Sequence, residues 1–107
     1  MSISRHVDHF YVTLRERVLE AGIRTESVKM AEEAYCRMRT LLAQAQWEEC
    51  MPNIEVALRD SSIALLKGFG ITPSHRRLWA EVTDLPYKLM EILKGLFATP
   101  NATPTAN

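Results

Sequence analysis

The stretch Gln46–Val82, QWEECMPNIEVALRDSSIALLKGFGITPSHRRLWAEV, decides how this chain is built. Ile54, Val56, Ala57, Leu58, Ile63, Ala64, Leu65, Leu66 and Phe69 spread apolar side chains around most of one helix. A helix of that kind is surrounded by others, so the segment from around Glu48 to Phe69 is expected to be the central one. Glu48 and Glu49 suit the positive end of a helix. Pro52 costs little in a first turn, where amide hydrogens have no intrahelical acceptor. Gly68 and Gly70 end the segment, with Gly70 as the left-handed cap. Thr72-Pro73 then opens a new helix, an N-cap followed by proline at the first helical position. That short helix runs through His75, Leu78, Trp79 and Val82.

The flanks supply its packing partners. Ile3, Val7, Phe10, Leu14 and Val18 recur at steps of three and four, which predicts a first helix over Ser4–Ala21. Ser2 or Ser4 can cap it, and Gly22 stops it. Val28, Ala31, Tyr35, Met38, Leu42 and Ala45 mark a second helix that starts after the cap Thr25 and ends near Gln46. Glu33 and Arg37 are spaced for an i,i+4 pair on it. Past Val82, Asp84-Leu85-Pro86 reads as a break and a restart, with Asp84 as cap. Tyr87, Met90, Leu93 and Phe97 form the stripe of the last helix, and Gly95 weakens its end.

Few glycines and prolines, and no alternation at period two, make this an all-α chain. The expected architecture is an antiparallel four-helix bundle with an extra short helix. Residues 1–97 form the single domain. Residues 98–107, without hydrophobic or charged content to fold with, form a disordered tail. Extra apolar surface on the last helix suits a seam between two copies, hence a homodimer.

Bulk properties narrow the function. The chain has 107 residues, enough for one core but not two. Thirteen basic and thirteen acidic side chains cancel, which argues against a general nucleic-acid or membrane-surface binder. No apolar run approaches the length of a membrane span. The N-terminal MSISRHVDHF lacks the layout of a secretory signal, and Cys36 and Cys50 do not form a disulfide framework. The expectation is a cytoplasmic protein with reduced thiols.

The segment Met30–Val82, MAEEAYCRMRTLLAQAQWEECMPNIEVALRDSSIALLKGFGITPSHRRLWAEV, resembles the HEPN domain family. The similarity lies in the leucine-rich helix end Leu41–Trp47, the apolar helix closing in Leu65-Leu66-Lys67-Gly68, and the loop Gly70-Ile71-Thr72-Pro73-Ser74-His75. It covers about half of the chain. The resemblance implies a small all-α module that works beside a nucleotidyltransferase or in a toxin–antitoxin type system. Ribonuclease members carry an Arg-x4–6-His motif near the start of the last helix. Here His75 precedes Arg76 and Arg77, and no histidine follows them. The resemblance therefore implies a non-catalytic member.

Among the candidate groups, His75, Arg76 and Arg77 stand at a helix start, where an anion or phosphate could bind amide hydrogens and guanidinium groups together. The plainer alternative has His75 hydrogen-bonded within its loop and both arginines solvated; a two-arginine cluster favours it. His6 and His9 share a helix face near Asp8, but sequence positions no third ligand, so no metal is assigned. Glu32-Glu33 and Glu48-Glu49 are adjacent acids that point apart. Trp47 and Trp79 suit anchoring of the bundle better than base stacking. Asp60, mid-helix in the most apolar segment, needs a partner if buried. No catalytic residue and no cofactor are assigned. The expected role is a binding or regulatory module, with His75, Arg76 and Arg77 as the residues that could hold a nucleotide or RNA. The alternative is a helical adaptor or inhibitor that binds another protein.

Overall fold

Four helices carry the chain: α1 (Ser4–Glu20), α2 (Val28–Ala45), α3 (Met51–Phe69) and α4 (Arg76–Ala102). They come from a computed structural model that describes residues 3–45 and 51–102, with side chains for residues 3–45 and 53–95. Among the described residues there is no strand, and the fold is an all-α bundle. The expected features at Trp47, Glu48, Glu49 and Cys50, and the tail positions 103–107, lie outside the described residues.

The ends of α1 and α3 follow one design. Gly22 and Gly70 have φ of 72° and 76°, the left-handed region where a Cβ is penalised. After each glycine the chain folds back onto its own helix. The Gly22 and Ile23 amides donate to the Leu19 and Val18 carbonyls; those of Gly70 and Ile71 donate to Lys67 and Leu66. Both are Schellman closures, which satisfy carbonyls that a helix end otherwise leaves open.

Helix starts differ more from expectation. Ile3 holds the N-cap position of α1 and makes no side-chain cap bond, so Ser4 is the first helical residue and not its cap. The cap of α2 is Ser27, not Thr25: its Oγ accepts the Met30 amide at 3.1 Å. A tertiary contact selects it, because the Ser27 amide donates to the Gly68 carbonyl at 2.8 Å. Pro73 and Ser74 form a turn ahead of α4, which begins at Arg76, so the proline is not a first helical residue.

The separate short helix does not exist. α4 passes through Asp84-Leu85-Pro86 unbroken, and Asp84 is exposed and caps nothing. An interior proline costs about 3 kcal/mol, through the lost amide donor and the clash with the carbonyl four residues earlier. Against it stand Leu78, Val82, Leu85, Leu89 and Leu93, all buried on one face that runs in register through the proline. Each is worth about 1.5–3 kcal/mol, so continuity wins. Pro86 is itself fully buried. One turn earlier the Thr83 hydroxyl donates to the Trp79 and Ala80 carbonyls at 2.9 and 3.1 Å. The helix also carries on past Gly95 to Ala102, into the stretch expected as a tail.

The core has two parts. One gathers Ile3, Val7, Met38, Leu42, Leu58, Leu89 and Leu93. The other gathers Leu14, Val18, Ala31, Leu65, Phe69, Leu78 and Val82. Phe10 and Tyr35 pack against both. α3 is not surrounded on all sides as expected: Asn53, Val56, Asp60, Ile63 and Lys67 leave an exposed stripe at steps of three and four. Asp60 is therefore solvated and needs no cross-helix partner. The Glu33–Arg37 pair is not formed; among the described residues α3 instead carries Glu55–Arg59 at 3.9 Å.

Candidate anion-binding site

α4 starts where α1 ends. The turn before it is held by short polar contacts. The His75 amide donates to the Thr72 carbonyl at 2.9 Å, and the Thr72 amide donates to His75 Nδ1 at 3.0 Å. The Thr72 hydroxyl lies 2.6 Å from Ser74 Oγ and 3.2 Å from the same ring nitrogen. An amide can only donate, so Nδ1 is the unprotonated nitrogen in this geometry and Nε2 keeps the hydrogen. The ring is fixed within its loop, as the plainer sequence alternative has it, and Arg76 and Arg77 are exposed.

The fold adds what the sequence pattern lacks. His75, Arg76 and Arg77 line one open cleft of about 410 Å³ with Arg17 and Glu20 from the last turns of α1. Ile23 and Leu78 complete its wall. Arg17 is half-buried and ion-paired to Glu81. No ion pair engages Arg76 or Arg77 among the described residues, and the first turn of α4 holds no acid. Two free guanidinium groups, a third shared with Glu81, and the amide end of a long helix therefore face one space. Glu20 is the one carboxylate that opposes an anion there. Such a set can hold a phosphate by forked hydrogen bonds, with Nε2–H of His75 as a neutral donor. It contains no nucleophile–base pair.

Arg17 escaped sequence reading because it looks like one more solvated charge. Its spacing from Phe10 and Leu14, the edge of the core stripe, is the signal that could have found it.

The other candidates separate. Asp8 turns towards α2, accepts the Tyr35 hydroxyl and pairs with Arg39 Nε at 3.1 Å. His6 and His9 instead face α4 across a second cleft. Among the described residues no group of three or more histidines, cysteines or acids is placed to hold a metal ion. Cys36 is exposed and free, and Trp79 packs half-buried against the core.

Tyr35 is the most tied-in polar side chain of the α1–α2 contact. Its ring stacks on Tyr11, with centroids 4.3 Å apart and planes 11° from parallel. The Arg39 guanidinium lies 5.9 Å from the ring centre. Hydrogen bonding to Asp8, then burial, raise the Tyr35 hydroxyl above its ordinary 10.0. Burial, then the charge of Glu32, raise Tyr11 in the same direction.

Among known proteins, no family model, no curated protein and no solved structure matches this chain. The resemblance of Met30–Val82 to the HEPN family finds no support there. No helix of the described residues is long and apolar enough to cross a membrane.

Proposed function

We propose that this bundle is a binding module and not a catalyst, and that its ligand carries phosphate groups, as a nucleotide or an RNA does. The observation that carries this reading is the meeting of His75, Arg76 and Arg77 with Arg17 in one cleft at the start of α4. A chain of zero net charge that gathers three arginines at one opening has a local field its composition does not announce. The finer picture belongs to the same proposal: an antiparallel, HEPN-like, cytoplasmic module beside a nucleotidyltransferase or in a toxin–antitoxin type system.

Calorimetric titration with ATP and with a short single-stranded RNA tests it. Replacing His75, Arg76 and Arg77 together with alanine abolishes binding. Binding that survives this change, or no binding by the unaltered protein, ends the assignment.

A second reading rests on a different surface. Val56, Ile63 and Tyr87 are each about half exposed, at 51%, 49% and 53%, on neighbouring faces of α3 and α4. That much open apolar surface suits a protein contact, as in a homodimer or an adaptor. Sedimentation of the protein before and after Ile63→Glu distinguishes it: a dimer that falls apart supports the reading, and a monomer throughout removes the homodimer.

A further inference from the structure

α3 leaves one stripe outside the bundle, and its members differ in kind. Val56, Asp60, Ile63 and Lys67 follow one another at steps of four, three and four, all exposed. Ile63 and Tyr87 line a shallow groove of about 260 Å³ between α3 and α4, which carries the apolar surface sideways. The hydroxyls of this groove are spent on their own helices: Ser62 donates to the Leu58 carbonyl at 3.0 Å and Thr83 to that of Trp79 at 2.9 Å. Its free surface is therefore apolar apart from Arg59 and Asp84.

The charges of the stripe have no partner at home. Neither Asp60 nor Lys67 forms an ion pair among the described residues. Every position three or four residues from either is uncharged, so the helix itself offers them none. From each other they stand about 10.5 Å apart along the axis, two turns, and do not meet. Glu55 and Arg59, beside the stripe, are spaced to pair and do so.

An acid one turn before Ile63 and a base one turn after it make a self-complementary pattern. Turned end for end, a second α3 sets its Lys67 against Asp60 and its Asp60 against Lys67, with both Ile63 side chains beside the two-fold axis. A parallel arrangement would set acid on acid and base on base. The pattern thus selects both an occupant and its direction. Thirteen basic and thirteen acidic side chains cancel, so no net charge opposes the approach of a second copy. We infer, on the reading that takes this face as a protein contact, that two copies of this chain associate through antiparallel α3 helices centred on Ile63 and held in register by two Asp60–Lys67 pairs. Val56, Ile63 and Tyr87 supply the surface to be buried. The ion pairs, at exposed positions, set orientation more than affinity.

Sedimentation of the full chain at low salt, over a range of concentrations, tests this seam. The unaltered protein is expected to dimerise. Asp60→Lys and Lys67→Asp, each alone, weaken the dimer at least about tenfold, because each sets like charges opposite one another. Two recoveries then follow that a loss of fold cannot imitate. The double variant Asp60→Lys/Lys67→Asp dimerises again, and an equimolar mixture of the two single variants forms a mixed dimer. Circular dichroism checks that each variant is folded. A dimer broken by Ile63→Glu but indifferent to both single charge changes keeps the protein-contact reading and overturns the antiparallel seam. So does a loss in the single variants without recovery in the double variant and the mixture. A monomer at every concentration overturns the seam as well, and leaves the face to a different protein.

Discussion

The seam between α2 and α3 and the seam between α1 and α4 are made of opposite materials. Along the first, the residues at the closest approach are small. A Cβ added to Gly68 would lie 2.7 Å from the Ala31 backbone nitrogen. Ala34 of α2 is buried with Ala31 in the same core cluster, and the Gly68 carbonyl takes the Ser27 amide. Along the second, Phe10, Leu14, Leu85, Leu89 and Ile92 are large, and the crossing is made by an ion pair. Small residues let backbones close; large ones and long charged chains hold them apart and leave a trough. In a chain this short, one pair of helices thus supplies rigidity and another supplies accessible surface.

The largest expected effect comes from breaking the tight side. Leu58 is fully buried beneath α2, beside Met38, Leu42 and Ala45. Leu58→Ala should cost about 2–5 kcal/mol, the range for emptying a buried leucine site, as read by urea unfolding. Gly68→Ala should cost about 1–3 kcal/mol through overpacking, because the neighbour it meets is backbone and cannot swing away; improved helix propensity returns up to about 1 kcal/mol. Gly95, whose Cβ position is open, is the control: alanine there should not destabilise. Equal effects at the two glycines would deny the close approach of α2 and α3.

A smaller effect concerns how α1 is held. In the unfolded chain Tyr35 ionises near its ordinary 10.0, whereas in the native protein Asp8 and burial resist that charge. The folded value is the raised one, so this stabilisation is complete below pH 10 and is lost as pH climbs through the folded value. Thermal unfolding scans from pH 8 upward should show a fall that sets in above 10.0, and Tyr35→Phe should flatten it while losing about 1 kcal/mol at neutral pH. The smallest effect is on the open side: Glu81→Gln, which unpairs a half-exposed bridge, should change stability by less than about 1 kcal/mol. A large loss there would mean that the two walls depend on that bridge to stay in place.

How much of this the sequence carried depends on range. Gly22 and Gly70 were legible because few other residues tolerate a positive φ, and the glycine stands directly after its helix. The core stripes were legible because burial repeats with the helical period. At Pro86 the local signal and the longer one conflict: breaker chemistry predicts a stop, whereas the stripe Leu78, Val82, Leu85, Leu89 runs straight through it. Thr25 fits the local cap pattern, and what selects Ser27 instead is Gly68, forty-one positions away. The site divides in the same manner. His75, Arg76 and Arg77 are adjacent and could be singled out; Arg17 joins them only through the docking of α1 beside α4.

The contact of Gly68 with Ala31 has a kinetic meaning as well. The two helices it locks are consecutive in the chain, joined by a short connection, and pack through the tightest seam. The helices are consecutive, so their pairing can begin at the end where α2 leads into α3, at less loop entropy than the pairing of α1 with α4, and the Gly68–Ala31 contact, 37 positions apart, closes its far end. On this hypothesis the α2–α3 pair is the template on which α1 and α4 condense, and the trough is the last part of the molecule to acquire walls. Stopped-flow refolding tests this hypothesis: Leu42→Ala should slow folding, while Leu14→Ala should mainly speed unfolding. The reverse pattern would put the nucleus elsewhere. Time order and accessibility would thereby share one origin, with the open trough being the part of the molecule the chain completes last.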